Sequence, residues 1–150
     1  MKLAEALQER ADLNRNIEQL KSRLSINAIT QENEAPAEDP TTLLKELDSS
    51  IKRLCELIFK INITNCHITK DGKSITELIA ERDTISVRIN AYRQLVNSAS
   101  QTGMRARAKE IKIVSTVDVK SMQKKIDAMS KELRQIDNTI QELNWTSELI

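Results

Sequence analysis

Glycine and proline are nearly missing from this chain, with two of each in 150 residues. That excludes a β-sandwich or barrel, whose many hairpins need such residues at their turns. Aromatics make up 2%, so Phe59, Tyr92 and Trp145 stand alone and any core must come from Leu, Ile, Val, Met and Ala. One histidine, His67, leaves no His-pair metal site and no spare imidazole for a catalytic triad. With glycines only at 72 and 103, neither a phosphate loop nor a dinucleotide fingerprint can be written. No Glu-x-x-His occurs, so a carboxylate-bridged metal bundle lacks its signature. These gaps argue against an enzyme and leave no cofactor and no metal to expect.

Long apolar runs are absent too. Nothing approaches a membrane span, and Met1 to Glu5 enters a charged helical pattern instead of the apolar stretch of an export signal. Cys55 and Cys66 fall in one predicted helix, roughly 16 Å apart by its rise, too far for a mutual disulfide. Two thiols and no signal point to a cytoplasmic protein. A net charge of +1 exerts no overall pull on nucleic acid or on an anionic membrane.

What is present is helical periodicity. Apolar residues recur in steps of three and four along four stretches. The first carries Leu3, Ala6, Leu13, Ile17, Leu20 and Leu24, with Arg10 in the seam. The second carries Leu44, Leu47, Ile51, Leu54, Ile58 and Ile61. The third runs Ile75, Leu78, Ile85, Ile89, Tyr92 and Val96, with Arg82 in the seam. The fourth runs Val119, Met122, Ile126, Met129, Leu133, Ile136, Ile140 and Leu143. Asp39-Pro40 caps the second, Ser74 with Glu77 forms a capping box for the third, and Asp118 or Thr116 caps the fourth.

The pattern predicts an all-α single domain over 1–150: four long antiparallel helices, as a bundle or as paired coiled-coil hairpins, at about 2–27, 40–66, 75–100 and 118–144. An acidic, proline-containing linker spans 28–39, and Lys70 to Lys73 is a turn with briefly extended flanks. The connection 101–117 is basic and then β-branched, which predicts a short extended segment near 110–114, centred on Ile111 and Ile113. Shifting the chain by 72 matches Leu3 with Ile75 and Ile17 with Ile89, and Glu5, Glu9 and Arg10 with Glu77, Glu81 and Arg82, a hint of duplication.

Few residues carry chemistry. Arg10 and Arg82, beside Glu9 with Asp12 and Glu81 with Asp83, either form a polar, ligand-facing seam or snorkel to neighbouring carboxylates. Arg105, Arg107, Lys109 and Lys112 form a basic arm that could reach phosphates, but no aromatics interleave for stacking. Trp145 either packs over the end of the helices or marks a tail that docks on a partner. Cys66-His67 reads as an ordinary helix end, where a histidine meets the negative dipole.

Several stretches give the chain a family likeness. They are Met1-Lys2-Leu3-Ala4-Glu5-Ala6-Leu7, Glu9-Arg10-Ala11-Asp12, Pro36-Ala37-Glu38-Asp39-Pro40, Ala80-Glu81-Arg82-Asp83, Glu110-Ile111-Lys112, Ser115-Thr116-Val117-Asp118-Val119 and Asn144-Trp145-Thr146-Ser147-Glu148-Leu149. With these the chain resembles, over nearly its whole length, the small bacterial proteins labelled septicolysin-like. The resemblance implies no established active site. Its label implies membrane lysis, for which the sequence shows neither an export route nor an apolar hairpin. The residues themselves favour a structural or protein-interaction module that completes its narrow seams as a homo-oligomer. A nucleic-acid-associated factor using the basic arm and a cytolysin are the alternatives.

Overall fold

Helix starts are set by side chains that satisfy orphan amides. Glu5 accepts from the Lys2 amide at 2.7 Å and opens α1 (Leu3–Ile26). Asp39 accepts from the Thr41 amide at 3.1 Å and from the Thr42 hydroxyl at 2.9 Å, with Pro40 in the first turn, and opens α2 (Pro40–His67). The Ser74 hydroxyl accepts from the Glu77 amide at 3.2 Å while Glu77 accepts from the Ser74 amide at 2.7 Å, a reciprocal box that opens α3 (Ile75–Ala99). Asp118 accepts from the Ser121 amide at 3.1 Å ahead of α4 (Val119–Thr146). This computed structural model describes residues 1–102 and 111–150. The fold is all-α, with four long helices and one very small sheet among the described residues.

That sheet pairs β1 (Thr69–Lys70) with β2 (Lys73–Ser74). Asp71 and Gly72 between them both have positive φ, 52° and 81°, the conformation of a tight primed turn, which Asp-Gly adopts more readily than any bulkier pair. The segment expected to be extended near 110–114 pairs with neither strand of this sheet among the described residues. The described part of that segment, from Ile111, is irregular, and Ile111, Ile113 and Val114 are exposed. Two causes act. The Ser115 hydroxyl closes a local turn, bonding the Val117 carbonyl at 2.8 Å and accepting its amide at 3.3 Å. The existing strands, two residues each, also give a third strand almost no edge.

The chain forms two compact units, Met1–Lys70 with Leu143–Ile150, and Asp71–Glu142. In the first, α1 and α2 pack antiparallel. Asn16 meets Ser50 and Glu9 meets Arg53 across them. Leu3, Ala6, Leu20, Leu43, Leu57 and Ile61 are buried. Asn27, also buried, ties down the following connection: its amide donates to the Arg23 carbonyl, and its carbonyl accepts from the Glu38 amide, both at 2.9 Å. Arg23 reinforces this with an ion pair to Glu38.

The C-terminal residues of this unit pair with its start. Leu3 donates to the Ser147 carbonyl at 3.0 Å and Leu149 to the Met1 carbonyl at 2.9 Å, while Lys2 and Glu148 form an ion pair at 2.7 Å. Thr64, fully buried, anchors the last step. Its hydroxyl donates to the Lys60 carbonyl at 2.8 Å and accepts from the Ile150 amide at 3.0 Å. Thr64→Val keeps the shape and strips both bonds, leaving the Ile150 amide unpaired. The expected cost is about 1–2 kcal/mol, with faster amide exchange at Ile150, measured by denaturation and hydrogen exchange.

The second unit holds α3 and α4 antiparallel, with Arg82 facing Asp137 at one level and Ile89 near Leu133 at another. Ile75, Leu78, Ile89, Ile126, Ile136 and Ile140 are buried. Each unit thus opens on a helix of similar length, 24 and 25 residues, followed by one of 28. Leu3 and Ile75, 72 residues apart, are the first residues of α1 and α3 and are equally buried.

Candidate functional site

The core line of α2 does not follow the hydrophobic stripe that its sequence displays. Fully or nearly buried are Leu43, Ser50, Leu57, Ile61 and Thr64. The stripe of Leu44, Leu47, Ile51, Leu54, Ile58 and Ile61 is split: Ile61 is buried, Leu47 and Leu54 are half-buried, and the other three are exposed. The helix therefore turns a polar-containing line inward, because Ser50 accepts from Asn16 at 3.3 Å and Thr64 is satisfied as above.

This rotation leaves an apolar face on the outside. Leu44, Ile51 and Ile58 recur every seven residues at 49%, 47% and 41% exposure, and Phe59 beside them reaches 64%. Cys55 is exposed between Ile51 and Ile58 on the same face. Together these side chains offer roughly 400 Å² of apolar surface, within the range of the largest patch on a monomer, which is often functional.

The charged candidates are dispersed. Glu9 accepts a two-pronged bond from Arg53, at 2.6 and 2.9 Å. That hydrogen bond, aided by the guanidinium charge and opposed by partial burial, holds the Glu9 carboxyl below its ordinary range. Arg10 has no ion pair among the described residues. In the second unit Glu81 pairs with Lys73 at 2.6 Å, and Arg82 pairs with Asp83 at 2.8 Å and approaches Asp137 at 4.0 Å. Lys112 is exposed, and Arg105, Arg107 and Lys109 of the basic arm lie outside the described residues. His67 sits on the Ile63 carbonyl at 2.9 Å, at the end of α2. Among the described residues no group of three His, Cys, Asp or Glu side chains gathers as metal ligands, and no helix is long and apolar enough to cross a membrane.

Trp145 is 66% exposed in the last turn of α4. It lines an open groove of about 530 Å³ with Met1, Ala4, Glu5, Gln8, Glu9 and Asp12. So Glu9 and Trp145 come to one place, whereas Arg53, which claims Glu9, carried no signal. Its role depends on the register of α1 against α2, which a single-helix pattern does not encode.

Glu9 gives a pH signature. A carboxylate depressed in the folded state stabilises above its unfolded pKa, and the gain disappears as pH falls through the folded value. Both partners are partly exposed, so Glu9→Gln should cost no more than about 1 kcal/mol at pH 7. It should also narrow the difference between melting temperatures at pH 7 and pH 3. Glu38, Asp39, Glu77 and Glu148 are lowered as well, by Arg23, by the Thr42 hydroxyl, by the Ser74 amide and by Lys2 respectively, so the wild-type chain loses stability on acidification.

Residues 10–149 match the model of a family of unknown function, DUF6847. A solved structure described as a functionally unknown conserved protein from Corynebacterium diphtheriae is 35% identical, with a TM-score of 0.87, over 100% of this chain and 99% of that one. No curated protein matches. By its sequence over almost its full length, this chain belongs to the family of unknown function DUF6847.

Proposed function

We propose that the chain is a protein-interaction module, septicolysin-like as its sequence motifs imply, that works as a self-associated helical assembly. One observation carries this reading: the Leu44, Ile51, Ile58 and Phe59 face of α2, whose heptad spacing matches the seam of a helix pair. Its roughly 400 Å² is of the order of the apolar share of the ~800 Å² that each partner buries in a stable dimer. A second copy is the occupant that the heptad itself describes, because the same row of knobs on an antiparallel partner fills its holes.

Cys55 supplies the test, since it lies within the face while the other cysteine, Cys66, is exposed near the end of α2. Alkylation of Cys55 should slow as protein concentration rises, with Cys66 reacting at a constant rate. Equal, concentration-independent rates at the two thiols would remove the reading.

A further inference from the structure

Between α3 and α4 of the second unit lies a cleft of about 400 Å³. Its apolar floor is Ile89 and Leu133, and its polar lining includes Asn90, Arg93, Ser130 and Arg134. No acidic side chain lines it. Arg15, Arg23, Arg53 and Arg82 lean on carboxylates, those of Asp12, Glu38, Glu9 and Asp83, whereas Arg10 and Arg88 have no ion pair among the described residues. Arg93 and Arg134 have no such partner among the described residues, and Asp137, one turn beyond Arg134, faces Arg82 at 4.0 Å. The Asn90 amide and the Ser130 hydroxyl likewise make no side-chain hydrogen bond among the described residues.

The surrounding sequence adds a field of the same sign. Among the described residues from Thr84 to Arg134 there are eight Lys or Arg and three acids, net +5, in a chain whose total is +1. The near-neutral total therefore conceals a basic stretch, and both cleft-forming segments lie in it. Such a field raises the local concentration of anions.

We propose that the Arg93–Arg134 cleft is an anion site that takes a phosphate group. Two guanidinium forks uncompensated by any lining carboxylate match a doubly charged phosphate better than a singly charged carboxylate. The hydroxyl and amide beside them donate to its remaining oxygens. The phosphate is shared chemistry, carried by a small phosphorylated molecule or by a nucleic-acid backbone. The site stands apart from the α2 face and does not rest on self-association.

Calorimetric titration of the full chain with pyrophosphate and, separately, with a short single-stranded RNA tests it. The paired variant Arg93→Gln with Arg134→Gln is compared with an equal loss of charge elsewhere on α4, Lys120→Gln with Lys124→Gln, and circular dichroism checks that both remain helical. Saturable binding of either probe that weakens at least tenfold in the arginine pair and less than twofold in the lysine pair supports the site. Pyrophosphate binding assigns it to small phosphorylated molecules, and binding of RNA alone to the nucleic-acid backbone. Equal weakening in both pairs would show diffuse charge attraction and overturn the proposal, as would the absence of saturable binding by either probe.

Discussion

Leu57→Ala should lower the stability of the folded chain by about 3 kcal/mol, while Phe59→Ala, on the same helix, should change that of the monomer by less than about 0.5 kcal/mol. Side-chain size alone would reverse the order, because phenylalanine is the larger hydrophobe. Burial decides it. Leu57 is fully buried and Phe59 is 64% exposed. Removing the Leu57 side chain, fully buried in the unit that α1 and α2 form, forfeits its transfer energy and leaves a cavity that close packing fills only in part. Urea denaturation at dilute concentration measures both. A Phe59→Ala loss equal to that of Leu57→Ala would mean that the inward line of α2 is not the one described.

Ile51→Asp acts on the exposed row, about 100° around the helix from the buried one. It should leave helix content unchanged and weaken the proposed self-association at least a hundredfold, about 2.7 kcal/mol in dissociation free energy. The side chain sits in the middle of the heptad row, so a carboxylate there would be stripped of water in the paired state and find no partner. Ile29→Asp is the control, since Ile29 is 86% exposed in the connection before α2 and outside the row. Sedimentation velocity across a concentration series reads both variants. If Ile29→Asp and Ile51→Asp dissociate the assembly alike, the row is not the interface.

These two substitutions mark where sequence reading succeeds and where it stops. The four helices were legible because apolar residues repeat at helical spacing and because Asp39, Ser74 with Glu77, and Asp118 announce the starts. The inward face of α2 was not legible. Hydrophobicity alone passes over Ser50 and Thr64, which enter the interior because Asn16, Lys60 and Ile150 satisfy them. The segment near Ile111 finds no ladder among the described residues for a related reason. β-branched composition signals extended backbone, but a ladder also needs an edge, and the only strands described are two residues long.

The candidate site was legible only in pieces. Glu9, Glu81, Arg82 and Trp145 stood out by type and position, but the partners Arg53, Lys73 and Asp137 are set by how helices and turns come together. The Arg93–Arg134 cleft had no local signal at all, because its two arginines lie on different helices and become a pair only through the antiparallel register of α3 and α4.

Sedimentation equilibrium of the full chain at tens of micromolar tests the proposed self-association through α2. The expected result is twice the chain mass, falling toward the single-chain mass on dilution and staying there for Ile51→Asp. A single-chain mass for the wild type at every concentration would contradict it.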